Sequence, residues 1–168
     1  MTSKPIKIPR PDHPITIAPT KGRVMVTVNG RRIADTREAL TLKDADYPPV
    51  QYVPRKDVDM TQLQRTEHQT YCPYKGDCAY YNIPAGRERS VNAVWTYEAP
   101  YAAVSAIRGY MAFYPDRVDA IEIVGDGSGP LTDDGKSSRT AASSFFEMVN
   151  HRRPGDTSKK ALDRDHLA

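Results

Sequence analysis

Cysteine, tryptophan and phenylalanine are scarce in this chain: two, one and three among 168 residues. Two cysteines are too few for a disulfide-stapled scaffold. No stretch approaches the roughly 20 consecutive apolar residues that span a bilayer. The opening MTSKPIKIPRPDHP holds no apolar core of the kind a secretory leader needs. No G-x4-G-K-[ST] phosphate loop is present. The expected setting is therefore the cytoplasm, with no membrane partner, and the length suits one domain with tails.

An excess of charge on the folded part is also lacking. Residues 1–22 hold Lys4, Lys7, Arg10 and Lys21 against Asp12 alone. Residues 23–124 carry 13 basic and 13 acidic side chains, and residues 125–168 carry seven of each. A nucleic-acid-binding domain carries its basic excess on its folded surface. No nucleic-acid partner is expected.

Other residue types divide the chain at the same places. Five of the 14 prolines lie before Gly22, so residues 1–22 read as a Pro-rich tail. All ten tyrosines fall between Tyr47 and Tyr114, which places the folded domain in 23–124. GDGSGPLTDDGKSS makes 125–138 a Gly/Ser linker. Residues 139–168 read as a short helix, with Phe145, Phe146 and Val149 on one side, and a polar end.

The domain reads mainly as β. Val24, Val26 and Val28 alternate, and Asn29-Gly30 follows, the dipeptide of a type I′ hairpin. Leu40 and Leu42 mark a third strand. Val50 and Tyr52 share a face of a fourth, which Pro48, Pro49 and Pro54 confine to a sheet edge. Asp57 is a candidate cap for one helical turn through Leu63. CAYYNI, SVNAVWTY, YMAFY and AIEIV read as further strands, with a helical stretch between Pro100 and Gly109. About seven strands succeed one another without alternating helices, against a Rossmann-type sheet. The expectation is a small curved antiparallel sheet or open barrel with one or two short helices.

EHQTYCPYKGDCAYY, Glu67 to Tyr81, concentrates the chemistry-bearing side chains. His68, Cys72 and Cys78 are one ligand short of a structural zinc site and lack a C-x2-C pair, so no metal is expected. A Cys72–Cys78 disulfide could span the intervening loop but would be transient in a reducing compartment. Cys72 could be a nucleophile, its thiolate favoured by Lys75 or His68, or a packed thiol. Cys72 precedes proline and so ends a strand, and Gly76 lets the chain reverse, bringing Lys75 to a turn tip beside Cys72. Lys75 could anchor an anion there or be solvated, and Arg37 is a second candidate anion anchor. Tyrosine outnumbering phenylalanine suits either an aromatic-lined pocket or an amphipathic sheet face. Trp95 and Tyr97, with Tyr74 and His68, are the candidate walls.

Four segments, YPPVQYVPRKDV, TYCPYKGDCAYY, AVWTYEAP and GYMAFYPDRVDA, together resemble the bacterial family called domain of unknown function number 427. The resemblance spans about residues 23–120. It implies a compact, mainly β domain in the cytosol. Where the family pattern has a small residue after the acid, this chain has Asp77-Cys78. The family also carries a nucleotidyltransferase label. Such chemistry needs carboxylates around Mg²⁺, and the candidate pairs are Asp44-x-Asp46 and Asp57-x-Asp59. The functional expectation is a small-molecule-binding module of unidentified ligand and cofactor, with Lys75 or Arg37 recognising an anionic group. The alternatives are an enzyme using Cys72 as a thiolate and a nucleotidyltransferase.

Overall fold

The computed structural model describes residues 3–125. Its centre is a four-stranded antiparallel sheet of β6 (Gln64–Cys72), β7 (Gly76–Asn82), β8 (Val94–Thr96) and β9 (Met111–Phe113), in that order. Register explains its packing. Tyr81, Val94 and Phe113 lie opposite one another across three strands, and so do Tyr80, Trp95 and Ala112. Successive side chains point to opposite faces, so these two rows line the two faces. Both faces are covered, and every residue of β8 and β9 is buried. A strand buried on both sides loses its polar alternation, which accounts for the apolar runs VW and MAF, while the buried Thr96 hydroxyl donates to the Tyr110 carbonyl at 2.8 Å.

On one face lies the sheet of β10 (Ala120–Val124), β2 (Arg23–Val28) and β3 (Arg31–Thr36), ordered β10-β2-β3. Val24, Val26 and Val28 meet Ile33, Val94, Met111 and Phe113 in one core. Asn29 and Gly30 have φ of 49° and 75°, the left-handed pair a type I′ turn requires. Gly22 enters β2 at φ +123°, and a Cβ there would lie 2.2 Å from the Val124 carbonyl oxygen. The other face carries β1 (Ile15–Pro19), β4 (Leu40–Asp44) and β5 (Val50–Tyr52), ordered β1-β4-β5. Leu42 and Tyr52 from this sheet join Trp95, Tyr97, Ile107 and Tyr114 in a second core. β5 is an edge, as its flanking prolines require. The architecture is mainly β, with three open antiparallel sheets and no closed barrel.

Several sequence expectations change. Residues 15–19 belong to a strand, not to the tail, pairing with β4 from Ile15–Asp44 to Pro19–Leu40. The prolines flank the strand or close it at a sheet edge, where no ladder N–H is needed, and Ile15 and Ile17 pack on the second core. Ten strands are present among the described residues rather than seven. The long strand expected over 91–97 is only β8. The helix expected after Pro100 is a pair of 3-10 turns over Ala102–Ile107, kinked at Val104. Val104, at φ −124° and ψ 26°, breaks the helical run, and Gly109, at φ +74°, follows it. Asp57 does not cap the turn ahead of Leu63: Asp59 does, accepting from the Thr61 N–H, while Asp57 lies in the preceding turn. The expected C-terminal helix at Phe145, Phe146 and Val149, and all of the linker after Gly125, lie outside the described residues. Among the described residues no helix is long and apolar enough to cross a membrane.

Candidate functional site

β6 ends at Cys72 because Pro73 follows. The Lys75 N–H donates to the Cys72 carbonyl at 3.1 Å, closing a four-residue turn with proline in its second position. Gly76, at φ +112°, starts the return strand. The Tyr101 N–H donates to the Lys75 carbonyl at 3.0 Å, tying the turn to the segment after Pro100. The turn's backbone is thus fixed on both sides before any side chain is placed.

From this turn Lys75 points inward. It is only 7% exposed. Its Nζ donates to Asp44 Oδ2 at 2.6 Å and to Cys72 Sγ at 3.8 Å. Asp44 closes β4 and uses its second oxygen, Oδ1, to accept from His13 Nε2 at 2.8 Å. The His13 ring stacks flat on Tyr74, with centroids 4.2 Å apart and planes within 2°. A continuous polar chain therefore runs Cys72–Lys75–Asp44–His13 and returns to the same turn at Tyr74.

Both central charges persist despite burial. Desolvation alone would favour a neutral Lys75 amine, but Cys72, Asp44 and Tyr52 outweigh it and raise the ammonium above its ordinary value. Burial pushes the Asp44 carboxyl up, and the attraction and hydrogen bonds of Lys75 and His13 overcome this, leaving it below the usual carboxylate range. Beneath the chain the groups are neutral. Burial raises the Tyr52 and Tyr97 phenols and pushes the Cys78 thiol up to about 12. Cys72 and Cys78 are both free thiols, Cys72 half-buried and Cys78 buried.

The aromatic residues form a packed floor. Trp95 and Tyr97 are each 8% exposed. Trp95 meets Tyr114 at 4.5 Å and the edge of Tyr52 at 6.3 Å. Of the residues singled out from sequence, Cys72, Tyr74 and Lys75 come together at the turn, with Trp95 and Tyr97 in the core below. His68 sits further along β6, tilted against Tyr80 at 4.6 Å. Its Nε2 is buried without a hydrogen-bond partner, and burial together with nearby Arg117 lowers its pKa. Arg37 is exposed just past β3, which belongs to a different sheet.

Two members of the chain escape sequence reasoning. Asp44 reads from sequence only as half of a carboxylate pair, and His13 lies within the Pro-rich segment that reads as a tail. The carboxylate pairs themselves are dispersed into structural roles. Asp57 accepts from Thr36 Oγ1 at 2.7 Å, and Asp59 caps its turn. Both border an open cleft of about 260 Å³ between β3 and the Asp57–Asp59 segment, where Arg32 pairs with Asp35 and Lys56 with Asp57.

These features define a small, mainly β domain with a buried aromatic cluster and one buried ion pair at a hairpin turn. The family model described as Domain of unknown function (DUF427) matches residues 16–124, and the chain belongs to that family. The matched span takes in β1 from Thr16 onward, in agreement with the strand pairing above. No curated protein matches the chain.

Proposed function

We propose that the protein takes a small electrophilic molecule at the β6–β7 turn and that Cys72 is the group that reacts with it. The observation that carries this reading is the Lys75 ammonium 3.8 Å from Cys72 Sγ, its charge held in place by Asp44. An ammonium that donates to the sulfur stabilises the negative charge the sulfur carries as it attacks. In the step envisaged, the sulfur loses its proton to solvent and forms a bond to an electrophilic carbon, and the leaving group departs with the bonding electron pair. Lys75 compensates the sulfur's negative charge before bond formation, and Asp44 keeps Lys75 balanced once the sulfur is neutral. This favours the thiol reading over an anion anchor at Lys75, because Asp44 already occupies the ammonium. It also favours it over an aromatic-lined pocket, because Trp95, Tyr97, Tyr52 and Tyr114 pack on one another. A reducing compartment such as the cytoplasm suits a pair of free cysteines.

Alkylation by iodoacetamide at neutral pH, followed residue by residue with mass spectrometry, tests the reading. Cys78 is the unreactive internal standard. Removing the cation with Lys75→Met should slow Cys72 by about tenfold, the effect of roughly 1.4 kcal/mol, while Lys75→Arg retains most of the rate. Equal rates in folded wild type and Lys75→Met would remove Cys72 from any catalytic role.

A further inference from the structure

We infer that residues 4–13 form a lid over the Cys72 turn, latched by His13 to Asp44, and that this lid must lift before a bulky molecule reaches the half-buried Cys72. The inference rests on the reading of Cys72 as the reactive group and adds what controls access to it.

The segment lies across the turn without joining a sheet. Its contacts fall on residues either side of Cys72. Lys4 pairs with Asp77 and lies over the Tyr71 ring at 4.9 Å. The Pro5 carbonyl accepts from the Tyr71 hydroxyl. The Lys7 N–H donates to the Pro73 carbonyl at 2.9 Å. His13 then stacks on Tyr74 and donates to Asp44.

These attachments are suited to release. The Lys4–Asp77 pair is exposed, with side chains 58% and 71% accessible, and exposed ion pairs hold weakly. The apolar residues of the segment do not anchor it: Ile6 is 61% and Ile8 71% exposed. Arg10 and His13 exchange backbone hydrogen bonds at 3.2 and 2.8 Å, making a closed turn that moves as a unit. Immediately afterwards Ile15 enters the β1–β4 ladder, which fixes the hinge near Pro14. The His13–Asp44 hydrogen bond is charge-assisted and partly buried. It reaches the Lys75–Asp44 pair directly.

Two substitutions in the full-length chain separate the latch from simple packing. His13→Phe keeps a flat ring on Tyr74 and removes the donor. His13→Gln keeps a donor to Asp44 and removes the ring. Hydrogen–deuterium exchange of residues 3–13 reads lid opening, and labelling of Cys72 by a bulky maleimide reads access. Loss of one charge-assisted hydrogen bond should speed both by about tenfold in His13→Phe, with His13→Gln staying close to wild type. Unchanged exchange and labelling in His13→Phe would overturn the lid. Faster exchange with unchanged labelling would overturn its control of Cys72. The underlying thiol reading fails separately: in the His13→Phe background, it is lost if Lys75→Met leaves small-reagent alkylation unaltered, whatever the lid does.

Discussion

Trp95 Nε1 donates a hydrogen bond to the Tyr52 hydroxyl at 3.1 Å inside the second core. The contact joins β8 of the central sheet to β5 of an outer sheet through two side chains that are 8% and 2% exposed.

Tyr52→Phe should therefore destabilise the domain by about 0.5–1.5 kcal/mol, the usual net worth of one hydrogen bond. Trp95 is the single tryptophan of the chain, so its emission reports the transition directly. Urea unfolding followed at Trp95 should show a lower midpoint with an unchanged slope. An unaltered midpoint would mean the indole finds another acceptor.

Lys75 and Asp44 should behave as a unit. Breaking a buried pair strands the remaining charge, so Lys75→Met and Asp44→Asn should each cost about 3–5 kcal/mol. The double variant Lys75→Met/Asp44→Asn should cost clearly less than the two together, with a coupling of about 0.5–3 kcal/mol. Denaturant unfolding of the four proteins closes the cycle. Additive costs would show that the two groups do not stabilise one another.

The sequence makes the hairpins legible and leaves the layers hidden. Val24, Val26 and Val28 alternate beside Asn29-Gly30, so β2 and β3 follow from local chemistry. Cys72-Pro73 and Gly76 likewise mark the end of β6 and the start of β7. Strands buried on both faces carry no period, which is why Val91 to Tyr97 reads longer than β8. The proline density before Gly22 masks β1, although the Ile15, Ile17 alternation is present. At the site, the Cys72–Lys75 proximity follows from turn geometry. The inward course of Lys75 does not, because it depends on Asp44, 31 residues away. His13 is as far from Asp44 in the other direction, and no local pattern connects them.

Acid should weaken the domain through Asp44. Its folded pKa lies below the ordinary value because Lys75 and His13 outweigh burial. The unfolded carboxyl titrates near 3.9, so the stabilisation is complete above that value. It is lost as pH falls through the lower folded value, where the unfolded state already binds the extra proton. Asp44→Asn should be less stable at pH 7 and show a shallower acid limb. Urea midpoints between about pH 2 and pH 7 check this, and parallel limbs would count against it.

His68 should contribute acid sensitivity in a higher window. Its folded pKa is lowered, by burial first and then by Arg117, whereas the unfolded imidazole titrates near 6.5. Stability should fall as pH drops below that value, because the unfolded chain takes up a proton the folded one resists. His68→Phe preserves a ring against Tyr80 and removes the unpartnered Nε2. It should match or exceed wild-type stability at pH 7, with the advantage widening toward pH 5. Melting temperatures at the two pH values decide, and a constant difference would rule out the titration.

The pairing of β10 with β2, sealed where Gly22 meets Val124, also dictates a schedule for synthesis. A nascent chain displays β2 early, and β3 can zip onto one side of it through the Asn29-Gly30 turn. The opposite side must wait for Ala120–Val124, the last strand of the domain. Such long-range closure is slow relative to hairpin formation, and an open strand edge invites pairing with other chains. A chain stopped short of β10 would therefore expose a valine-rich edge, and its failure would show as aggregation before it showed as loss of activity.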